Sequence, residues 1–295
     1  MHDFAAEVSK FPFLPLLGSQ QEYQSPSQCR QHRGRKMSRK PGCKLLGFNG
    51  STWSTAKEVL ETCASQAAVL FGQEHRLDEA WRGEVQHSLL QHGWASAMTS
   101  AARGAGGGLS AGTFIVVPRK YGVAYVKGHS TWDHSPAGSE GRVCACWSPL
   151  LQRGGVVLIS VYLWHGEGMS VRNLSILGAV AALVKESGSN WILQMDANMT
   201  PQEVASTGWI RKLSADVISR TGMGMDCEGR DIDFFCGVKR LEFKDRLAPG
   251  TTHQPPHTPA PHAMVQIGKS GQRKGDGSLG GLPQGGQGGF ACLAR

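Results

Sequence analysis

The chain lacks several features that settle a protein's class at a glance. It has no internal repeat, no apolar run of membrane-spanning length and, among its 8 cysteines, no C-x-x-C pair. The first absence excludes a repeat array, the second a helical membrane span, and the third a structural zinc site built on that spacing. No secretory leader is expected either, because "FPFLPLLG" near the N-terminus is short and broken by two prolines. The expectation is a nuclear or cytoplasmic protein, not secreted, that keeps its thiols reduced, has no membrane partner and works as a monomer. Bulk charge is missing where it would matter most. The formal +8 resides in eight lysines and arginines against three carboxylates up to residue 44, and four against one from residue 269, so residues 45–268 sum to zero. A basic run such as "RQHRGRKMSRK" suits a nuclear-import or phosphate-backbone patch, or simply a solvated arm, whereas the middle offers no field for a polyanion.

What is present is an ordered middle between two low-complexity ends. Residues 1–43 read as a disordered basic arm, 44–268 as one domain, and 269–295, rich in Gly and Gln, as a disordered tail. Within the domain, "KLLGFN" (44–49) predicts a strand and 54–65 a helix with Ala56, Val59, Leu60 and Cys63 on one face. "AAVLFGQE" (67–74) predicts the next strand and 77–92 a second helix. Five strand-like runs follow, "GWASAMTS", "GTFIVVPR", "GVAYVKG", "RVCACWSP" and "GVVLISVYLW", then a helix over about 170–187, the strand "WILQMD" and the strand "DIDFFCGV" (231–238). Cys144 and Cys146, two apart in a strand, share a face and read as small core residues. Helices interspersed with hairpin-like strands imply an α/β sandwich on mixed sheets.

Several strands end on a polar residue. Asn49 closes the first, Glu74 the second, Tyr162 lies near the end of "VVLISVYLW", Asp196 and Asn198 close "WILQMDAN", and Asp233 sits in "DIDFFCGV". Each alone is an ordinary turn or cap residue; Thr200-Pro201 in particular looks like a helix start. Together, at strand ends that converge on one rim, they match the needs of phosphodiester hydrolysis. A phosphodiester anion repels an incoming hydroxide, so a hard cation must shield it, and Mg²⁺, with Mn²⁺ able to replace it, uses one or two carboxylates. Glu74 suits that ligand. Asp196 suits the alignment of a water, Asn49 and Asn198 can hold that carboxylate and the phosphate without adding charge, and Tyr162 can donate to a phosphate oxygen. A cationic imidazole held by Asp233 would complete the set.

These residues resemble the endonuclease/exonuclease/phosphatase superfamily, which includes abasic-site endonucleases, DNase I and retrotransposon endonucleases. The resemblance covers roughly residues 44–267. "LLGFN" is similar to the family's opening strand, "VLFGQE" to its "QE" strand with the metal-ligand Glu, "GGLSAGTFIVV" to its Gly-rich entry, and "LISVYLW" to the strand with the active-site Tyr. "QMDANMTP" resembles "GDFN" with Ala197 replacing Phe, and "DIDFF" resembles the strand whose Asp, here Asp233, orients the catalytic His. "YLWHGEG…RN…IL" is similar in style to retrotransposon-type endonuclease domains of dinoflagellates. The resemblance implies a DNase I-like four-layer α/β sandwich, two mixed β-sheets face to face with helices outside. It implies a Mg²⁺-dependent DNA endonuclease with nucleic acid as partner. The departure lies at the end. The family closes on Ser-Asp-His, whereas here "THQPPHTPAPHAMVQI" offers His253, His257 and His262, none preceded by Asp. His262 is chosen because an apolar strand follows it; Pro261 stands where the acid would be. The alternatives are a phosphatase or phosphodiesterase of small or lipid phosphates on the same scaffold, and a catalytically decayed nucleic-acid-binding relic. "GAGGGLSAG" is not a dinucleotide loop, since a strand follows it where a helix is required.

Overall fold

The computed structural model describes residues 43–63, 67–104, 106–150, 155–218, 233–238, 241–244 and 263–269. In chain order the elements are β1 (Cys43–Asn49), α1 (Trp53–Cys63), β2 (Val69–Gln73), α2 (Glu79–Gln91), β3 (Trp94–Met98), β4 (Ala102–Arg103), β5 (Leu109–Ser110), β6 (Phe114–Pro118), β7 (Val143–Ser148) and β8 (Val156–Tyr162). There follow α3 (Val171–Ser187), β9 (Trp191–Asp196), α4 (Pro201–Ser206), α5 (Trp209–Lys212), β10 (Ala215–Ile218), β11 (Asp233–Val238), β12 (Leu241–Lys244) and β13 (Ala263–Lys269).

Alternation of buried side chains on both faces of each strand forces two sheets into contact. The first runs β12-β13-β1-β2-β6-β3 and the second β10-β11-β9-β8-β7, with β4-β5 a separate small hairpin. Each large sheet has one parallel pair at its centre, β1 with β2 across α1 and β8 with β9 across α3, flanked by antiparallel neighbours. Leu45, Val69, Phe71 and Ile115 of the first sheet meet Cys144, Cys146, Leu158, Ile192 and Phe235 of the second. The Phe71 and Phe235 rings touch edge to face, centroids 5.8 Å apart. Cys144 and Cys146 are thus core residues, as their shared face predicts. Behind the first sheet, Leu46, Phe48 and Phe114 pack on Ala56, Val59 and Leu60 of α1 and on Val85 and Leu89 of α2. Behind the second, Ile159, Val161 and Leu193 pack on Ile176, Leu177 and Val180 of α3. The result is the helix–sheet–sheet–helix layering expected from the sequence.

The helices begin where side chains can cap them. Asp78 accepts from Trp81 N–H at 3.1 Å, and Ser170 from Asn173 N–H at 3.2 Å. At α4, Thr200 and Glu203 form a reciprocal capping box with Pro201 in the first turn, the start expected from "MTPQE". One strand is not as expected. "GVAYVKG" forms no strand; Ala124 and Asp133 make only isolated bridges to Trp147 and Cys144 along the edge of β7. Gly122 and Gly128 sit at φ 66° and 87°, which turns the chain out of a ladder at both ends of the apolar run. Among the described residues no helix is long and apolar enough to cross a membrane.

Candidate active site

The two parallel pairs end on one rim, and the polar strand-end residues meet there. Asn49 closes β1, and beside it Gly50 N–H donates to Gln73 O at 3.1 Å. Glu74 follows β2 directly, at a left-handed φ of 60°. Tyr162 and Asp196 are register partners at the ends of β8 and β9, and Leu163 N–H donates to Asp196 O at 3.0 Å. Asn49 Nδ2 donates across the sheet interface to Asp196 Oδ2 at 2.7 Å. Asn198 N–H donates to Asp196 Oδ1 at 3.2 Å, and Asn49 Oδ1 itself accepts from Ser51 N–H at 3.0 Å. From the other side the Tyr162 hydroxyl donates to Glu74 Oε1. Asn49, Asp196 and Asn198 are therefore one bonded group and Tyr162 with Glu74 a second, set side by side at the ends of four strands of two sheets by the Tyr162–Asp196 register. His262 lies outside the described residues, as do His253 and His257. Asp233 opens β11 as the register partner of Asp196, on the same rim.

Burial sets the electrostatics. Asp196 is 2% exposed and its pKa is raised to about 6, chiefly by desolvation and also by Glu74, with the Asn49 and Asn198 hydrogen bonds working the other way. Asp233 is pushed up by burial and then by Asp196 beside it, so two carboxylates share a site where one charge disfavours the other. Burial, with the bond to Glu74, also raises the Tyr162 phenol, which stays protonated as a donor.

Two further residues belong to this rim that sequence reasoning missed. Arg142, 3% exposed, stacks its guanidinium 4.6 Å from the Tyr162 ring and 3.4 Å from the Trp164 ring, and donates to Tyr162 O and Leu163 O at 3.4 and 3.3 Å. His165 Nδ1 is 3.1 Å from Asn198 Oδ1. Because Asn198 Nδ2 donates to Leu163 O at 3.0 Å, its Oδ1 must be the acceptor, so His165 Nδ1 carries the proton and Nε2 is directed elsewhere. Neither residue type stands out in "GRV" or "YLWHGEG". The signal available was topological: Arg142 immediately precedes β7, whose start lies beside the end of antiparallel β8.

Among the described residues no three His, Cys, Asp or Glu side chains are grouped to hold a metal ion. The donors present, one half-buried and one buried carboxylate with amides around them, fit an ion that uses one or two protein carboxylates and otherwise water.

No protein-family model matches the chain, and no curated protein matches it in sequence. Solved structures do match in shape. A 3′-phosphatase from Neisseria bound to product DNA hairpin is 17% identical, with TM-score 0.54 over 77% of this chain and 99% of that one. An AP endonuclease from Leishmania major is 15% identical, with TM-score 0.55 over 78% and 89%. An endonuclease/exonuclease/phosphatase family protein from Bacteroides thetaiotaomicron is 13% identical, with TM-score 0.52 over 77% and 96%. The fold is DNase I-like.

Proposed function

We propose that the chain is a divalent-metal-dependent phosphodiesterase that cleaves DNA as an endonuclease. The observation that carries this reading is the bonded group Asn49–Asp196–Asn198–His165, with the Glu74–Tyr162 pair beside it on the same rim. Glu74 would hold Mg²⁺, or Mn²⁺ in its place, and the ion when bound supplies positive charge to a non-bridging phosphate oxygen. Tyr162 fixes the Glu74 carboxylate, and Arg142 stacked on the phenol fixes Tyr162. Asp196, held on both oxygens and with its pKa near 6, receives a proton from the attacking water as the new P–O bond forms and the ester P–O bond opposite it breaks, the leaving sugar oxygen taking its proton from solvent water. Asn198 and His165 would face the phosphate, and by the family resemblance His262, oriented by Asp233, would add the cationic imidazole.

The likeness to proteins named as a 3′-phosphatase and an AP endonuclease supports phosphate-ester chemistry on nucleic acid and leaves two positions of attack to compare. The test is purified protein on supercoiled plasmid and on a 3′-phosphorylated oligonucleotide, with Mg²⁺, Mn²⁺ or EDTA. Nicking that EDTA abolishes and that Glu74→Gln and Asp196→Ala lose is expected. Nicking that survives either substitution would sink the assignment, and release of phosphate without nicking would move it to the phosphatase alternative. DNA retention without any turnover would identify a decayed relic.

A further inference from the structure

One layer beneath the rim lies a second polar group, wholly buried and used by none of the chemistry above. Gln73, Ser160 and Gln194 are each 0% exposed and come from β2, β8 and β9. Gln73 Nε2 donates to Ser160 Oγ at 2.8 Å and to Gln194 Oε1, and Ser160 Oγ donates back to Gly72 O at 3.2 Å. The cluster therefore ties the first sheet to the second. Space for it comes from β1, where a Cβ on Gly47 would lie 2.5 Å from Gln194 Cγ. Each member stands one or two residues behind a residue of the rim: Gly47 behind Asn49, Gln73 behind Glu74, Ser160 behind Tyr162 and Gln194 behind Asp196. In a strand, residues two apart share a face, so Ser160 with Tyr162 and Gln194 with Asp196 project the same way.

We propose that Gln73, Ser160 and Gln194 are positioning residues that set the separation between Glu74 on one sheet and the Tyr162–Asp196 pair on the other. Apolar packing between two sheets is non-directional and fixes no lateral offset, whereas three hydrogen bonds do. The cluster is also not what packing alone would choose. Gln73 Oε1 and Gln194 Nε2 have no hydrogen-bond partner among the described residues, and apolar side chains of similar shape would fill the space without leaving polar atoms unused.

The proposal rests on the phosphodiesterase reading only for its effect on turnover, so the test has two parts. The triple variant Gln73→Met, Ser160→Ala, Gln194→Met removes the bonds and keeps the volume. Its melting temperature should stay within a few degrees of wild type, because partners are removed together. Hydrogen exchange should rise at least about tenfold at the rim amides of Gly50 and Leu163 and stay unchanged at Ile159 and Leu193 in the strand centres. Exchange unchanged at the rim, or raised evenly along the strands, would overturn the proposal. If the wild type cleaves plasmid, the variant should lose roughly ten- to a hundredfold in kcat with KM unchanged, as a misplacement of about an ångström does. Full kcat in a folded variant would also overturn it. If the wild type has no turnover, the phosphodiesterase reading fails and exchange alone decides the positioning role. Should the triple variant not fold, Ser160→Ala, which removes two of the three bonds without adding volume, gives the same readouts.

Discussion

A carboxylate buried to 2% exposure, as Asp196 is, holds its proton up to about pH 6, whereas the unfolded chain releases it near 3.8. Between those values the native state binds more protons than the unfolded state, so this group's contribution to stability falls as pH rises from about 4 to about 6 and is level above. The cost of keeping it ionised is on the order of 3 kcal/mol by the shift alone. Asp196→Asn should therefore be more stable than wild type at pH 7.5, by about 1 kcal/mol after the loss of one acceptor, with no gain at pH 4. Urea unfolding at the two pH values measures it; a variant less stable at pH 7.5 contradicts it. The same residue should be essential for turnover, which separates a functional cost from a structural one. Glu74 carries a second cost, a non-glycine at φ 60°. Glu74→Gly relieves that strain but takes the acceptor from the buried Tyr162 hydroxyl, so the two effects should leave stability within about 1 kcal/mol of wild type while metal-dependent cleavage is abolished. These residues were legible in the sequence because Asp and Asn at strand ends stand out against apolar runs. Arg142 and His165 were not, since an arginine before a strand and a histidine in a Gly-rich loop carry no pattern until the strands are placed side by side.

Two of the segments that join strand to helix beside the candidate site are each tied down by one buried polar side chain. After β2, His75 is 1% exposed: Nδ1 accepts from Leu77 N–H at 3.0 Å, which leaves Nε2–H to donate to Thr99 O at 3.0 Å. Gly112 lies against that ring, where a Cβ would come within 2.6 Å. Burial lowers the His75 pKa to about 4 from 6.5. The unfolded state takes up the proton first, so the stabilisation is complete above pH 6.5 and is lost as pH falls toward 4, on the order of 3 kcal/mol. His75→Gln should unfold with a shallower acid dependence between about pH 6.5 and 4 than wild type; an equally steep one would assign the acid sensitivity elsewhere. After β8, Asn173 of α3 accepts from Trp164 N–H at 2.8 Å and donates to Gly168 O at 2.7 Å and Trp164 O at 3.2 Å, so it fixes the turn that presents His165. Asn173→Ala leaves those buried groups unpaired and should cost about 2 kcal/mol, with turnover falling further than stability explains. Element order was readable wherever a run was long and bounded by turn residues. The β4–β5 hairpin and β10, at two to four residues per strand, were too short to show a period. "GVAYVKG" failed for the opposite reason, a strand-like composition whose flanking glycines take it out of the ladder.

At the scale of the whole molecule, charge and catalytic site occupy different parts of the chain. Residues 45–268, which contain every proposed catalytic residue, have no net charge, while residues 1–42 carry seven lysines and arginines against three carboxylates. A neutral domain whose rim carries Glu74 and the buried Asp196–Asp233 pair offers no net attraction to a polyanion there unless cations are supplied. Arg142 offsets part of that locally, and a bound divalent ion would offset more. If the chain acts on DNA as proposed, long-range attraction comes from the two basic ends, of which residues 1–42 carry the larger share, and such attraction is released by salt at roughly 0.9 in log–log slope per phosphate contacted. Removal of residues 1–42 should flatten the salt dependence of DNA binding by about 3, equivalent to roughly three phosphate contacts, and weaken affinity most at low salt. Because the arm contributes encounter and not bond-making, kcat on saturating plasmid should be unchanged and the loss should appear in KM. Fluorescence anisotropy across about 50 to 300 mM salt, beside nicking kinetics, tests both halves. An unchanged slope would place the DNA-binding cations elsewhere in the chain, and a fall in kcat would mean that the arm reaches the scissile phosphate itself.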